Sequence, residues 1–149
     1  MEIRDVREED LERIAMIERE CFSVPWTPEQ LRVQLRPGHV FLGACEDGEA
    51  LGYVGMEYVL DEGYISNVAV AAGSRRRGIA GALLRELERR ARALGLAFLT
   101  LEVRESNQPA RALYANSGYA VVGRRKNYYQ NPREDAILMK LEFSGNERA

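Results

Sequence analysis

Between residues 64 and 103 the hydrophobic pattern changes its period twice, and this constrains the fold more than any other feature of the chain. Residues 64–70 read as a strand. Ile79, Ala80, Leu83, Leu84, Leu87, Ala91 and Leu94 then recur at three- and four-residue spacing, the stripe of an amphipathic helix, with Arg85, Glu86, Arg89 and Arg92 off the stripe and Gly95 as its stop. Residues 97–103 are a nearly continuous apolar run that ends in charge, as expected of a buried strand. A strand, a crossover helix and a strand of the same sheet connect right-handed and lie parallel.

The flanking segments supply the rest of one sheet. Residues 2–6 read as a short strand, and residues 8–22 carry Leu11, Ile14, Ala15 and Cys21 at helical spacing. Thr27, Pro28 and Gln30 are placed as capping residue, first helical position and capping-box partner of a second helix, which should run to about residue 36 before Pro37-Gly38. Strands over 40–46, 50–60 and 64–70 are separated by Asp47-Gly48 and by residues 61–63, turn signals of the hairpin kind. Asn107 and Pro109 open a last helix that Gly118 closes, and residues 119–124 and 136–143 give two final strands. The fold class is α+β (mixed α/β), in a single domain over 1–143. The polar residues 144–149 are expected to form a flexible tail.

Composition removes several functional classes. A chain of 149 residues, 46% hydrophobic and 30% charged, is an ordinary soluble domain with enough core to need no disulfide or structural metal. Cys21 and Cys45 are isolated and His39 is the single histidine, so no metal site or redox dithiol is expected. The net charge of −2 points to no direct nucleic-acid partner and no membrane surface. The amino terminus runs straight into charged sequence and no window approaches 18 apolar residues, so the expected location is cytoplasmic.

The chemistry gathers at residues 68–81: Val68, Ala69 and Val70 end a strand, Arg75, Arg76, Arg77 and Gly78 make a basic turn, and Ile79, Ala80 and Gly81 begin the long helix. Free main-chain N–H groups and the positive end of the helix dipole meet in such a turn, which suits a pyrophosphate. Gly78 has no side chain to hold a phosphate away from those amides. Three arginines before a helix can equally be a solvated surface. A P-loop is excluded because no lysine or hydroxyl residue follows Gly78 in the required order, and the dinucleotide fingerprint is absent.

The spelling Arg75-Arg76-Arg77-Gly78-Ile79-Ala80 matches the coenzyme A signature Arg/Gln-x-x-Gly-x-Gly/Ala, and the order of elements is that of one superfamily. The chain therefore resembles the GNAT superfamily of acetyl-coenzyme A dependent N-acetyltransferases, over nearly all of its length to Phe143. The resemblance implies a mostly antiparallel, twisted sheet of about seven strands with a splayed parallel pair in the middle and four flanking helices. It implies acetyl-CoA as co-substrate and no metal. Residues 67–70, 101–104, Ser106-Asn107, 112–114 and 125–129, followed by 134–136, are similar to the branch that acetylates the N-terminal alanine of the eighteenth small-subunit ribosomal protein. The implied partner is thus the N-terminus of a ribosomal protein, and the implied state a monomer or weak dimer. N-terminal acetyltransferases of broader specificity, small-molecule acetyltransferases and a non-catalytic coenzyme A binding module remain as alternatives.

Roles follow from that resemblance. Glu102, near the end of a central apolar strand where burial raises a carboxyl pKa, is the implied general base; it can also be an ordinary carboxylate paired with Arg104 or another cation. Tyr114 is the implied acid for the departing thiolate, or else a core residue of its helix. Asn107 is implied as a pantetheine contact and the amides of residues 68–70 as donors to the acetyl oxygen. Tyr128 and Tyr129, expected in a loop before the last strand, and Trp26 are implied as the grip on the peptide; the two tyrosines can instead cover the sheet end. Phe22 would share the wall with Trp26 or join the core. Arg124, Arg125 and Lys126 add positive charge beside that mouth, as solvated ends or as contacts for an acidic substrate.

Overall fold

The computed structural model describes residues 1–143. The predicted tail over 144–149 lies outside the described residues. Seven strands form one sheet in the order β1-β2-β3-β4-β5-β7-β6. They are β1 (Glu2–Asp5), β2 (His39–Glu46), β3 (Glu49–Val59), β4 (Glu62–Val70), β5 (Phe98–Arg104), β6 (Ala120–Tyr129) and β7 (Glu134–Glu142). Every neighbouring pair is antiparallel except β4 and β5. The helices are α1 (Leu11–Cys21), α2 (Pro28–Arg32), α3 (Ile79–Ala93) and α4 (Gln108–Asn116).

Each face of the sheet carries its own apolar cluster. Helix α3 lays Ile79, Leu83, Leu84, Leu87 and Ala91 on Leu42, Val54, Met56, Leu99, Leu101 and Met139, and Tyr114 of α4 joins the same cluster. On the other face Leu11, Ile14 and Ile17 of α1 and Leu31 of α2 cover Phe41, Tyr53 and Ala69. Helix α2 begins as its sequence requires: the Thr27 side chain accepts from the Gln30 N–H, and Gln30 returns a bond to the Thr27 N–H at 2.8 Å.

The parallel pairing of β4 with β5 is confined to Glu62–Phe98, Gly63–Leu99 and Tyr64–Thr100. Gly63 permits it, since a Cβ there would stand 2.5 Å from Leu99 Cδ2. Beyond these residues no strand pairing links the two halves of the sheet. A bulge at Ser66, whose hydroxyl donates to the Gly55 carbonyl at 3.1 Å, shifts the β3–β4 register at the same level. Past it Asn67 and Ala69 face α1, while Val68 and Val70 pack toward α3.

Several boundaries differ from the sequence reading. The second helix is α-helical only to Arg32 and continues as a 3₁₀ turn over Val33–Leu35. The β3–β4 turn falls on Leu60-Asp61, with Leu60 at φ 57°. Leu94, expected on the stripe of α3, is instead its exposed C-cap, one position past the last helical residue. Tyr128 and Tyr129 are not in a loop: β6 runs on to Tyr129, through an irregular stretch in which Asn127 takes φ 54°. The local charge of Arg124-Arg125-Lys126 hides that strand, because on an edge strand the exposed side chains carry no hydrophobic alternation. No helix among the described residues is long and apolar enough to cross a membrane.

Candidate active site

A cavity of about 590 Å³ opens between the end of β4, the first turn of α3, the first turns of α4 and the end of α1. Its walls include Val68, Ala69, Val70, Arg75, Arg76, Gly78, Ile79, Ala80, Gly81, Asn107 and Tyr114, all singled out from the sequence, together with Cys21, Phe22 and Leu113. Gly78 is the N-cap of α3 at φ 74° and makes no side-chain cap. Nothing lies within 4 Å of where its Cβ would be. The first N–H groups of α3 therefore have neither an intrahelical acceptor nor a capping side chain, and they carry the positive end of the dipole.

The three arginines of the turn divide. Arg75 donates from Nε to the Val70 carbonyl at 3.3 Å and from its guanidinium to Cys21 Sγ at 3.3 Å, which fixes it across the cavity rim. Arg76 takes φ 66° and lines the cavity. Arg77 turns away to Glu46 at 2.9 Å and is not in the wall.

Asn107 both lines the cavity and caps α4, its side-chain oxygen accepting from the Ala110 N–H at 3.2 Å. That cap, with Pro109 in the first turn, sets the direction in which Tyr114 enters. Tyr114 is buried edge-on against Tyr119 at 5.7 Å between ring centres. Burial pushes its phenol pKa upward, so the hydroxyl stays protonated across the physiological range.

Glu102 stands on the opposite face of the sheet. Strand alternation turns Leu101 and Val103 into the α3 cluster and Glu102 away from it. Its side chain is only 9% exposed. Oε1 accepts from the Tyr64 hydroxyl at 2.7 Å and the Tyr128 hydroxyl at 3.2 Å, and Oε2 faces Arg125 Nε at 2.9 Å. The cation on Glu102 is thus Arg125. Arg104 bends to the Gln130 and Pro132 carbonyls and Glu134, and lies over the Tyr129 ring at 4.5 Å. Tyr128 and Tyr129 stack edge to face at 5.1 Å. Burial, reinforced by the negative charge of Glu102, raises the pKa of the Tyr64 phenol and pushes that of Tyr129 up to about 12.

Trp26 does not line the cavity. It packs partly buried beside the α1 cluster, and of the expected pair only Phe22 reaches the wall. Two residues of consequence escape sequence reasoning. Tyr64 meets Glu102 across 38 positions of chain, and Glu18, 1% exposed, holds Trp26, Tyr53 and Asn67 together. Neither belongs to a local motif; only a charged residue on the buried stripe of α1 hinted at the second.

A half-open sheet with a bare helix start at its splay and an enclosed carboxylate on the far face brings an anion-binding turn and a candidate base to one site. The chain belongs to the acetyltransferase (GNAT) family, matched over residues 11–119. It is 34% identical over 137 residues, 91% of this chain and 93% of the relative, to the [ribosomal protein bS18]-alanine N-acetyltransferase of Escherichia coli K12. It is 33% identical over 142 residues, 93% of this chain and 98% of the relative, to that of Haemophilus ducreyi. Among solved structures, the ribosomal-protein-S18-alanine N-acetyltransferase from Escherichia coli superposes with a TM-score of 0.89 at 32% identity, covering 96% of this chain and 94% of the other. Arabidopsis thaliana NAA60 in complex with acetyl-CoA matches at 0.86 and 25% identity, covering 95% of this chain and 98% of the other.

Proposed function

We propose that this chain acetylates the α-amino group of an N-terminal alanine of a protein, with acetyl-CoA as donor, and that its substrate is the ribosomal protein its relatives are named for. The observation that carries the reading is the division of labour across the splay: Tyr114 and an uncapped helix start on one side, Glu102 under two phenols on the other. The bare Gly78 turn, with Arg75 and Arg76 beside it, fits a pyrophosphate. Bound there, acetyl-CoA would supply a reactive thioester.

The residues of the chain do the rest. An N-terminal ammonium has a pKa near 8 and must lose a proton before it can attack. Glu102 takes that proton, directly or through a water, while Tyr64 and Tyr128 hold Oε1 in place. The main chain of residues 68–70 donates to the acetyl oxygen as it gains charge. The nitrogen–carbon bond forms, the carbon–sulfur bond breaks, and Tyr114 gives its proton to the departing sulfur. Tyr128, Tyr129 and Phe22 bound the entry for the peptide. A ribosomal protein as substrate would place the reaction in the cytoplasm.

The test is coenzyme A release with Ala-initiated peptides, wild type against Glu102→Gln and Tyr114→Phe. Removal of a general acid or base is expected to lower kcat by roughly 10²- to 10⁴-fold in either variant. Wild-type turnover in both would refute the two roles, and turnover with free amines but no peptide would refute the substrate class.

A further inference from the structure

Glu18, in the last two turns of α1, is 1% exposed, and its hydrogen-bond partners are neutral. Oε1 accepts from the Tyr53 hydroxyl of β3 and from Asn67 Nδ2 of β4 at 2.7 Å; Oε2 accepts from the Trp26 main-chain N–H at 2.9 Å. Desolvation raises its pKa, and the bonds from Trp26 and Asn67 oppose that rise. An apolar side chain of the same volume would leave a hydroxyl, an amide and a main-chain N–H buried without an acceptor.

The three donors come from three separate pieces of the structure, β3, β4 and the α1–α2 connection, and the last two run directly into the cavity wall. Asn67 immediately precedes the Val68–Val70 wall of the cavity and follows the bulge that turns it toward α1. Cys21 and Phe22, one turn beyond Glu18, are also in that wall. Trp26 closes the connection between α1 and α2, in which Ser23 and Val24 are exposed. The near end of that connection is fixed by the Phe22 N–H on the Glu18 carbonyl, and its far end by the Thr27–Gln30 box. Just before that box, the Glu18 carboxylate ties Trp26 to Tyr53 of β3 and Asn67 of β4.

We propose that Glu18 is a positioning residue: it clamps the α1–α2 connection, and with it Phe22 and Trp26, to β4, and so sets the gap through which the peptide N-terminus enters. The inference rests on the acetyl-transfer reading above. Glu18 itself does not line the cavity, so it orders the entry without touching the reacting atoms.

Glu18→Gln tests it, because the amide keeps the size but offers one acceptor oxygen in place of two and removes the charge that strengthens these bonds. Trp26 is the single tryptophan of the chain, so quenching of its fluorescence by acrylamide reports the clamp without any catalysis. The variant should show clearly greater quenching and a peptide KM raised roughly tenfold, with kcat and acetyl-CoA affinity changed by less than about threefold. Adding Asn67→Asp returns a carboxylate to the cluster from the β4 side and should restore both quenching and KM. Wild-type quenching and KM in Glu18→Gln would overturn the proposal. So would a parallel loss of kcat, both affinities and melting temperature that Asn67→Asp leaves uncorrected, the mark of a residue needed only for the core. If the wild-type protein turns over no peptide, the peptide-acetylating reading fails, while the quenching comparison still decides whether Glu18 holds the connection.

Discussion

The two sides of the splay between β4 and β5 are made of different materials. On the α3 side the cavity is chiefly main chain and small residues: the ends of β4, the bare Gly78 turn and the first turn of α3, with Tyr114 as the enclosed hydroxyl. On the other side the working surface is a cluster of long side chains, Glu102, Tyr64, Tyr128, Tyr129, Arg104 and Arg125, held by charge and ring contacts. A surface built from backbone is sensitive to conformation and tolerant of side-chain chemistry. A surface built from side chains reverses both sensitivities.

Substitutions can break that contrast. The largest effect is expected from Gly78→Val. Nothing lies within 4 Å of the new Cβ, but a β-branched residue at φ 74° costs roughly 2 kcal/mol; the turn relieves that strain by leaving the conformation that binds coenzyme, and regaining it should raise the KM for acetyl-CoA about thirtyfold and leave the peptide KM at saturating coenzyme unchanged. Titration calorimetry with coenzyme A checks it. Next comes Tyr64→Phe, which removes the 2.7 Å bond to Glu102; at about 1.5 kcal/mol for a bond to a charged group, kcat/KM for peptide should fall roughly tenfold with coenzyme affinity intact. Equal losses for both ligands in either variant would abolish the distinction.

The smallest effect is on stability at high pH, and here the two sides should agree. The phenols of Tyr64, Tyr114, Tyr119 and Tyr129 all have pKa values raised by burial above the ordinary value of 10. The fold favours their protonated form, so the stabilisation is complete below pH 10 and is lost as pH rises through the folded values, from pH 10 to about 12 for Tyr129. Melting temperature should fall over that window, and Tyr129→Phe should flatten the fall. Phenolate absorbance that rises with an ordinary midpoint while the protein stays folded would contradict it.

The same contrast explains what the sequence could reveal. The main-chain side is encoded locally: β4, the turn with Gly78 and the stripe from Ile79 to Ala91 occupy consecutive positions, so a strand, a left-handed residue and a helix can be read in order. The fold followed for the same reason, since strands and helices here alternate with clear punctuation at Gly48, Gly95 and Gly118. The side-chain surface is assembled from distant positions, with Glu102 meeting Tyr64 across 38 residues and Arg125 of β6, two strands away in the sheet. No periodicity records which cation turns to Glu102, and so the sequence points to its neighbour Arg104 or another cation, whereas the structure brings in Arg125. The end of β6 was illegible because Tyr128 and Tyr129 belong to an exposed edge strand whose register slips between Arg125 and Tyr129. Glu18 shows the limit from the other direction, as its position on α1 betrays burial but not its partners.

Among the described residues only Glu62, Gly63 and Tyr64 join the first four strands to the last three by parallel pairing. Mechanically this is a short seam rather than a wall. Few ladder bonds cross there, so the two leaves of the sheet are held to each other chiefly by the apolar cluster under α3, and any molecule wedged between the diverging strands braces both leaves at once. Amide exchange at the open ends of β4 and β5 should consequently slow together, although among the described residues no strand pairing connects those ends.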